Sequence, residues 1–463
     1  MQSFDVVILG AGSAGEVIAN TLVKSGRSVA MIEQLRVGGE CAYVSCMPSK
    51  AMLRSARSRN QARNLVSLGG SSQPVVLDSD ASAYTNAVSR RDRIVMNRSD
   101  AKASERAISG GVSLFRGRGA CTSNDRVTVG EVELGWHDLV ITTGGRALIP
   151  KIEGLKEIQF WTSDQALSAQ QMPVSVLIVG GGPVGCELSQ IFTSFGVETT
   201  LVEFSDQLAG KEHPEIAARL AANLISQGVD LYLNTKVAKV EQAGKDKTLI
   251  HLSNGHQIIV EKLILAAGRQ PNSDKIGMDL LGIIPSKSGA LEMDEFCRVR
   301  GQERVWAAGD ITGIAPFTHT ANYQGRIVAG NILGGHQTAN YTAIPRAIYT
   351  DPPVSSVGRV QGPDKAEGLI SERFDMEGLS RNRTDGESGG LLILTADREK
   401  GTLVGATAIG PRADEWMAEA TLAIRAQIPL SILSDVVHAF PTFGEAFEEP
   451  IRKLAELIPP LAR

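Results

Sequence analysis

The run Phe4-Asp5-Val6-Val7-Ile8-Leu9-Gly10-Ala11-Gly12-Ser13-Ala14-Gly15 governs the reading of the whole chain. Its first six residues are mostly β-branched or apolar, the composition of a short buried strand. Three glycines in the spacing G-x-G-x-x-G come directly after it. A helix-compatible segment runs on to about residue 25, and a second apolar stretch over 28–32 ends at the acid Glu33. Strand, glycine loop, helix, strand and acid together predict a dinucleotide-binding unit. Gly10, Gly12 and Gly15 let backbone N–H groups approach a pyrophosphate at a helix N-terminus, and Glu33 can accept ribose hydroxyls.

The unit recurs. Val176-Leu177-Ile178-Val179 leads into Gly180-Gly181-Gly182-Pro183-Val184-Gly185, then a helix predicted from Cys186 and a strand over 199–202 that ends at Glu203. In both copies the acid falls 18 residues after the third glycine, so two dinucleotides are expected. Glu203-Phe204-Ser205 offers a carboxylate and no arginine for a 2′-phosphate, which favours NADH over NADPH.

Around these units the chain reads as connections and a third kind of domain. Residues 53–110 hold helix-compatible stretches with a Gly/Ser-rich break over 68–74. Val140-Ile141-Thr142-Thr143-Gly144-Gly145-Arg146 reads as a strand crossing to the second unit, and a run over 263–271 closes that unit. Val305-Trp306-Ala307-Ala308-Gly309-Asp310 is a strand whose terminal carboxylate suits a polyol such as a ribityl chain. After Gly335 the pattern changes to strands over 391–394 and 403–409, a loop over 384–390, an amphipathic helix over 413–425 and a C-terminal helix.

Composition narrows the class. The chain has 463 residues, enough for about three domains, with 43% hydrophobic and 21% charged residues. A net charge of −4 gives no reason to expect nucleic acid or an anionic membrane as partner. No apolar run reaches the roughly 18–20 residues of a membrane span, and the first basic residue is Lys24, so a cytoplasmic protein is expected. Five cysteines are scattered, and only Cys41 and Cys46 are close in sequence. That pair reads as catalytic or redox-sensing rather than as part of a secreted framework.

The pair lies in Gly38-Gly39-Glu40-Cys41-Ala42-Tyr43-Val44-Ser45-Cys46-Met47-Pro48-Ser49-Lys50. On a regular helix this five-residue separation sets the Cα atoms roughly 8–9 Å apart. A disulfide needs about 4.4–6.8 Å, so the cysteines can join only across a distorted helix start. Lys50 lies one helical turn past Cys46, where its ammonium would favour a thiolate or an electron-rich ring.

With these residues in view, the chain resembles the flavin- and nicotinamide-dependent disulfide reductases, the family of dihydrolipoamide dehydrogenase, glutathione reductase and mercuric reductase. The likeness covers essentially the whole chain. It rests on the cysteine stretch, both glycine fingerprints, Thr143-Gly144, Ala267-Gly268-Arg269, Ala308-Gly309-Asp310 and Pro441-Thr442. Within the cysteine stretch, Glu40, Tyr43 and Ser45 stand where Thr, Asn and Gly are more usual.

The resemblance implies an α/β fold with two Rossmann-like dinucleotide-binding modules plus a C-terminal α+β dimerisation domain. The implied segments are 1–148 and 272–338 for FAD, 149–271 for NAD(H) and 339–463 for a homodimer interface. It implies FAD contacts from Gly10, Gly12, Ser13, Gly15, Glu33, Gly39, Lys50, Thr143, Gly144, Gly309 and Asp310. NAD contacts are implied for Gly180, Gly182, Gly185, Glu203 and Gly268. By the same resemblance Cys41 is the interchange thiol, Cys46 sits beside the flavin in charge transfer, and Lys50 near the flavin pairs with Glu187. No metal site is implied.

The family's last domain typically carries His-x-His-Pro-Thr-x-x-Glu, whose second His moves protons for thiol substrates. Here the run is His438-Ala439-Phe440-Pro441-Thr442-Phe443-Gly444-Glu445. Phe440 cannot carry a proton, a loss typically worth about 10²–10⁴-fold in rate. Glu445 keeps its place, and His438 either substitutes from two positions upstream or is structural. His319 is expected to pack or bond near the flavin.

The leading expectation is an NADH-linked flavoprotein passing electrons through Cys41–Cys46 to a small-molecule acceptor that needs no enzymic proton: a metal ion, a quinone or a small disulfide. Three relatives inside the fold are weighed against it. They are a dihydrolipoamide dehydrogenase using His438 or water, a mercuric-type reductase, whose C-terminal cysteine pair has no counterpart in residues 458–463, and a ketone-cleaving carboxylase in which Phe also replaces the His. A redox sensor without turnover is the alternative from another class, and the intact second fingerprint argues against it.

Overall fold

A computed structural model describes residues 2–360, 368–387 and 389–458. The chain divides into two compact units, one of Met1–Pro48, Arg91–Leu148 and Gly268–Asn340, the other of Ser49–Arg90, Ile149–Ala267 and Tyr341–Arg463.

In the first unit β1 (Gln2–Leu9) lies parallel between β2 (Val29–Glu33) and the strand Val132–Ile141. Ser113–Arg116 extends the parallel set beyond β2. The strand Val132–Ile141 divides its pairing: Leu139–Ile141 lie beside Val305–Ala307, while 132–135 pair with the antiparallel Arg126–Val129. Val6 and Ile8 enter one core with Ile18 and Leu22, and Val7 and Leu9 enter another with Leu139 and Ile141. Burial on both faces explains why β1 reads as a continuous apolar run rather than an alternating one.

α1 (Ser13–Lys24) follows β1 and buries Ala14, Gly15, Ile18, Ala19 and Leu22, a stripe at helical spacing. The strand expected from residue 28 and ending at Glu33 begins one residue later, at Val29, and ends at Glu33. α2 (Cys46–Arg63) begins at the second cysteine.

The second unit holds five parallel strands in the order Asp230–Tyr232, Glu198–Val202, Ser175–Val179, Lys262–Leu265 and Trp161–Thr162. Its glycine loop opens a helix at Pro183 rather than at Cys186. Proline suits a first helical position because the missing N–H would have no partner there. C-terminal to it, five antiparallel strands from Arg346–Ile348 to Thr402–Ile409 carry the helices Ala418–Ala426 and Glu448–Leu457 on a core that includes Leu394, Phe447 and Leu454.

Two expectations for this last part need correction. Thr384 and Asp385 belong to a helix, Ser380–Asp385, ended by Gly386 at φ +67°, so the loop is shorter than 384–390. The helix over 413–425 is two pieces, Ala413–Trp416 and Ala418–Ala426, because Met417 at ψ −4° lies off the helical value of about −42°. Among the described residues no helix is long and apolar enough to cross a membrane.

Candidate active site

Both glycine loops are built alike. A Cβ on Gly10 would stand 2.3 Å from Thr142 O, and one on Gly15 would stand 2.2 Å from Gly10 O. Those two glycines are demanded by the protein's own backbone. Gly12 differs: a Cβ there meets only Gly39 Cα, at 3.9 Å, and its backbone is extended with φ −76°. In the second loop Gly185 is held to glycine by Gly180 O at 1.9 Å, while a Cβ on Gly182 meets nothing within 4 Å. Packing does not explain the middle glycines, whose open faces leave room for a ligand to approach the backbone closely.

The acids sit at the mouths of these loops. Glu33 accepts the N–H of Ala11 at 2.8 Å and of Leu35 at 2.6 Å, one on each oxygen. Glu203, buried, accepts the N–H of Gly181 at 2.6 Å and of Ser205 at 2.8 Å in the same pattern. An ionised carboxylate has about four acceptor positions, so each retains capacity for ribose hydroxyls. Beside Gly10 and Glu33 a cavity of about 280 Å³ is lined also by Thr143, Arg118, Arg146 and Asn272. Gly144, at φ +69°, follows Thr143, whose hydroxyl donates to Asn272 O at 2.8 Å. Ser13 begins α1, and Gly268 accepts the N–H of Leu148 at 2.9 Å. Gly309 donates to Gln324 Oε1 at 2.7 Å, and Asp310 accepts from Arg269 Nε through Oδ2, which leaves its other oxygen for a polyol. This set fits FAD in the first unit, and the second loop fits a nicotinamide nucleotide.

The cysteine stretch is a turn that gives way to a helix. Cys41 lies in the turn, Cys46 is the first residue of α2, and Met47 N–H donates to Cys41 O at 2.9 Å. Both cysteines are half-buried. Gly39, at φ +70°, packs against the glycine loop, where a Cβ would come within 2.9 Å of Gly12 Cα. Gly38 N–H donates to Ala11 O at 2.7 Å, Val37 N–H to Asp100 Oδ2 at 2.8 Å, and Tyr43 Oη to Val37 O at 3.0 Å. Cys46 Sγ lies 3.6 Å from the hydroxyl of Thr318, which opens the helix Thr318–Ile332. The His319 ring stacks on Phe317 at 5.2 Å.

In the second unit Lys50 Nζ reaches both oxygens of Glu187, at 2.9 and 2.7 Å. Glu187 is buried, accepts Tyr349 N–H at 3.1 Å, and Lys50 lies 4.5 Å over the Tyr349 ring. The C-terminal run is arranged otherwise. Phe440 is 74% exposed and follows the described chain into a cis peptide bond with Pro441. His438 Nε2 faces both oxygens of Glu419 at 3.1 Å, and Nδ1 faces Glu448 at 3.4 Å. Glu445 accepts Thr442 N–H at 2.8 Å in a capping box. Thus Lys50 and Glu187 are brought together, whereas His438 is engaged by carboxylates of two helices and Glu445 by Thr442 of its own segment.

Sequence reading missed Arg269, Asp100, Asn272, Arg118 and Thr318 as site residues. Arg269 is visible in the sequence only as part of the Ala267-Gly268-Arg269 run, and Thr318 only as the neighbour of His319. A charge at Glu40, where Thr is more usual, was the one signal that a counter-charge should be sought.

A family model described as pyridine nucleotide-disulphide oxidoreductase matches residues 4–325, and one described as the dimerisation domain of that group matches 344–451. The chain belongs to the pyridine nucleotide-disulphide oxidoreductases. Members are FAD-dependent disulfide oxidoreductases that use NAD(P)H. A dihydrolipoyl dehydrogenase of Chlamydia muridarum is 29% identical, over 97% of this chain and 96% of its own length. A mercuric reductase of Streptomyces lividans is 29% identical, over 96% and 95% respectively. The HOCl-induced flavoprotein disulfide reductase RclA from Escherichia coli, solved as a Cu(II) complex, shares the fold with TM-score 0.84 at 24% identity, covering 98% of this chain and 100% of that one. As a pyridine nucleotide-disulphide oxidoreductase the chain carries a dimerisation domain.

Proposed function

We propose that this flavoprotein takes two electrons from NADH, delivers them to the Cys41–Cys46 pair and hands them to a small acceptor that needs no proton from the enzyme. The balance is simple: NADH, a proton and the disulfide give NAD⁺ and two thiols; the thiols then pass two electrons to the acceptor, restoring the disulfide, and their two protons leave to solvent or with the reduced acceptor. FAD supplies the two-electron relay between the nicotinamide and the sulfurs. Cys41 is the interchange thiol and Cys46 the sulfur on the cofactor side, where the Thr318 hydroxyl can donate to a thiolate. Lys50 brings a cation whose burial Glu187 offsets. Gly10, Gly12, Ser13, Gly15, Glu33, Gly39, Thr143, Gly144, Gly309 and Asp310 hold FAD; Gly180, Gly182, Gly185, Glu203 and Gly268 hold NAD(H). Glu203 with no arginine before Asp206 favours NADH over NADPH. The working form is a homodimer.

One observation carries the choice of acceptor: the position that would hold the proton-moving imidazole is an exposed phenyl group, Phe440, and the nearby His438 is clasped by Glu419 and Glu448. A metal ion, a quinone or a disulfide with a stable leaving thiolate fits that chemistry. The mercuric reductase relative supports the metal-ion case. The dihydrolipoyl dehydrogenase relative supports the second reading, lipoamide chemistry with His438 or water in the imidazole's role.

Steady-state turnover with NADH across lipoamide, glutathione disulfide, Hg(II), Cu(II) and quinones separates the two. We expect weak lipoamide turnover, unchanged by His438→Ala and raised at least tenfold by Phe440→His. Lipoamide as the best acceptor of the parent, or a loss on His438→Ala, would overturn the reading.

A further inference from the structure

Glu40 precedes Cys41 in the chain and is held at both its main chain and its side chain. Its carbonyl accepts the N–H groups of Tyr43 and Val44 at 3.1 and 2.8 Å. Its Oε2 accepts from Arg269 Nη2 at 2.7 Å. The same guanidinium donates to Gly145 O at 2.7 Å and, through Nε, to Asp310 Oδ2 at 3.0 Å. Burial works against the charge on Arg269, but Glu40 and Asp310 more than offset it and hold the guanidinium firmly charged. One planar cation thus joins three segments of the first unit: the residue before Cys41, the crossing that follows strand Val132–Ile141, and the Gly309-Asp310 strand end.

Other anchors of the loop lie at Val37, Gly38 and Tyr43, and Cys41 O accepts the N–H of Met47 at 2.9 Å. The Glu40 and Arg269 side chains are 41% and 32% exposed, so the pair adds little to global stability. What the planar guanidinium fixes, through one bond each to Glu40, Gly145 and Asp310, is position.

We propose that Glu40 is a positioning residue for Cys41, acting through Arg269 to lock the interchange thiol's loop onto the Asp310 strand end. Threonine at this position could not make the ion pair. The lock therefore sets how far Cys41 is open to an incoming acceptor. The proposal rests on the reading of Cys41–Cys46 as the redox pair, and its test separates the two.

The FAD-loaded protein is reduced with NADH, treated with iodoacetamide, and Cys41 labelling is timed by mass spectrometry for the parent, Glu40→Gln, Glu40→Thr, Arg269→Lys and the Glu40→Gln/Arg269→Lys double variant. We expect each single change to alter the Cys41 labelling rate at least threefold, with melting temperatures shifted by about 2 °C or less. The double variant should show no more than the larger single effect, since both residues act through one contact. Where Glu40→Gln loses FAD, Glu40→Thr is read in its place. Labelling rates within 1.5-fold of the parent, or single effects that multiply in the double variant, overturn the proposal and leave the redox pair standing. If NADH fails to open Cys41 to label in the parent, the redox-pair reading and the proposal fall together.

Discussion

At the scale of single residues, the two kinds of glycine in the fingerprints make opposite predictions. Gly15→Ala drives a Cβ against Gly10 O, an overlap that packing cannot relieve cheaply, so it should cost about 1–3 kcal/mol or more of stability. Gly12→Ala meets only an ordinary van der Waals contact with Gly39 Cα and an ordinary backbone angle, so it should leave the circular dichroism spectrum and fold intact. It should nonetheless weaken FAD binding about tenfold or more, read as the free FAD concentration needed to hold the flavin band. A Gly12→Ala protein that binds FAD as tightly as the parent would mean the open space in front of that loop is not where the pyrophosphate lies. His438 makes the complementary point. Its character could not be decided from spacing, because the two carboxylates that hold it, Glu419 and Glu448, come from helices on either side of it in sequence.

At the scale of elements, the cysteine-bearing turn depends on fastenings from other strands and helices. Asp100 is one: burial alone would raise its pKa, but the Val37 N–H bond and the Arg116 cation more than offset that and hold it below the usual carboxylate range. A carboxyl depressed in the folded state stabilises above its unfolded value, about 3.9, and that contribution drains away as pH falls through the folded value. Asp100→Asn should therefore cost about 0.5–1 kcal/mol at pH 7 by urea unfolding, with the gap from the parent closing below about pH 4. A gap that persists or widens in acid would contradict the assignment. Elements such as β1, the glycine loops and Glu33 were legible in the sequence because local periodicity and turn chemistry specify them. The fastening of the turn was not, since Glu40 and Arg269 are separated by 229 residues and share no local pattern.

At the scale of the whole molecule, the proposed function makes the chain a carrier of electron pairs between a nucleotide and two sulfurs. The domain types and cofactors were readable from recurring fingerprints together with the cysteine stretch. The acceptor was not, because no local pattern marks a residue that would recognise it; under the proposed function only Phe440, in place of an imidazole, narrows the choice. The central claim is that Cys41 and Cys46 are in the electron path, and anaerobic titration of the FAD-loaded protein with NADH tests it most directly. Disulfide and flavin each hold one electron pair, so the parent should consume about two NADH per FAD and the Cys41→Ser variant about one. A parent that stops at one NADH per FAD, with both cysteines still unreactive toward iodoacetamide, would contradict the account.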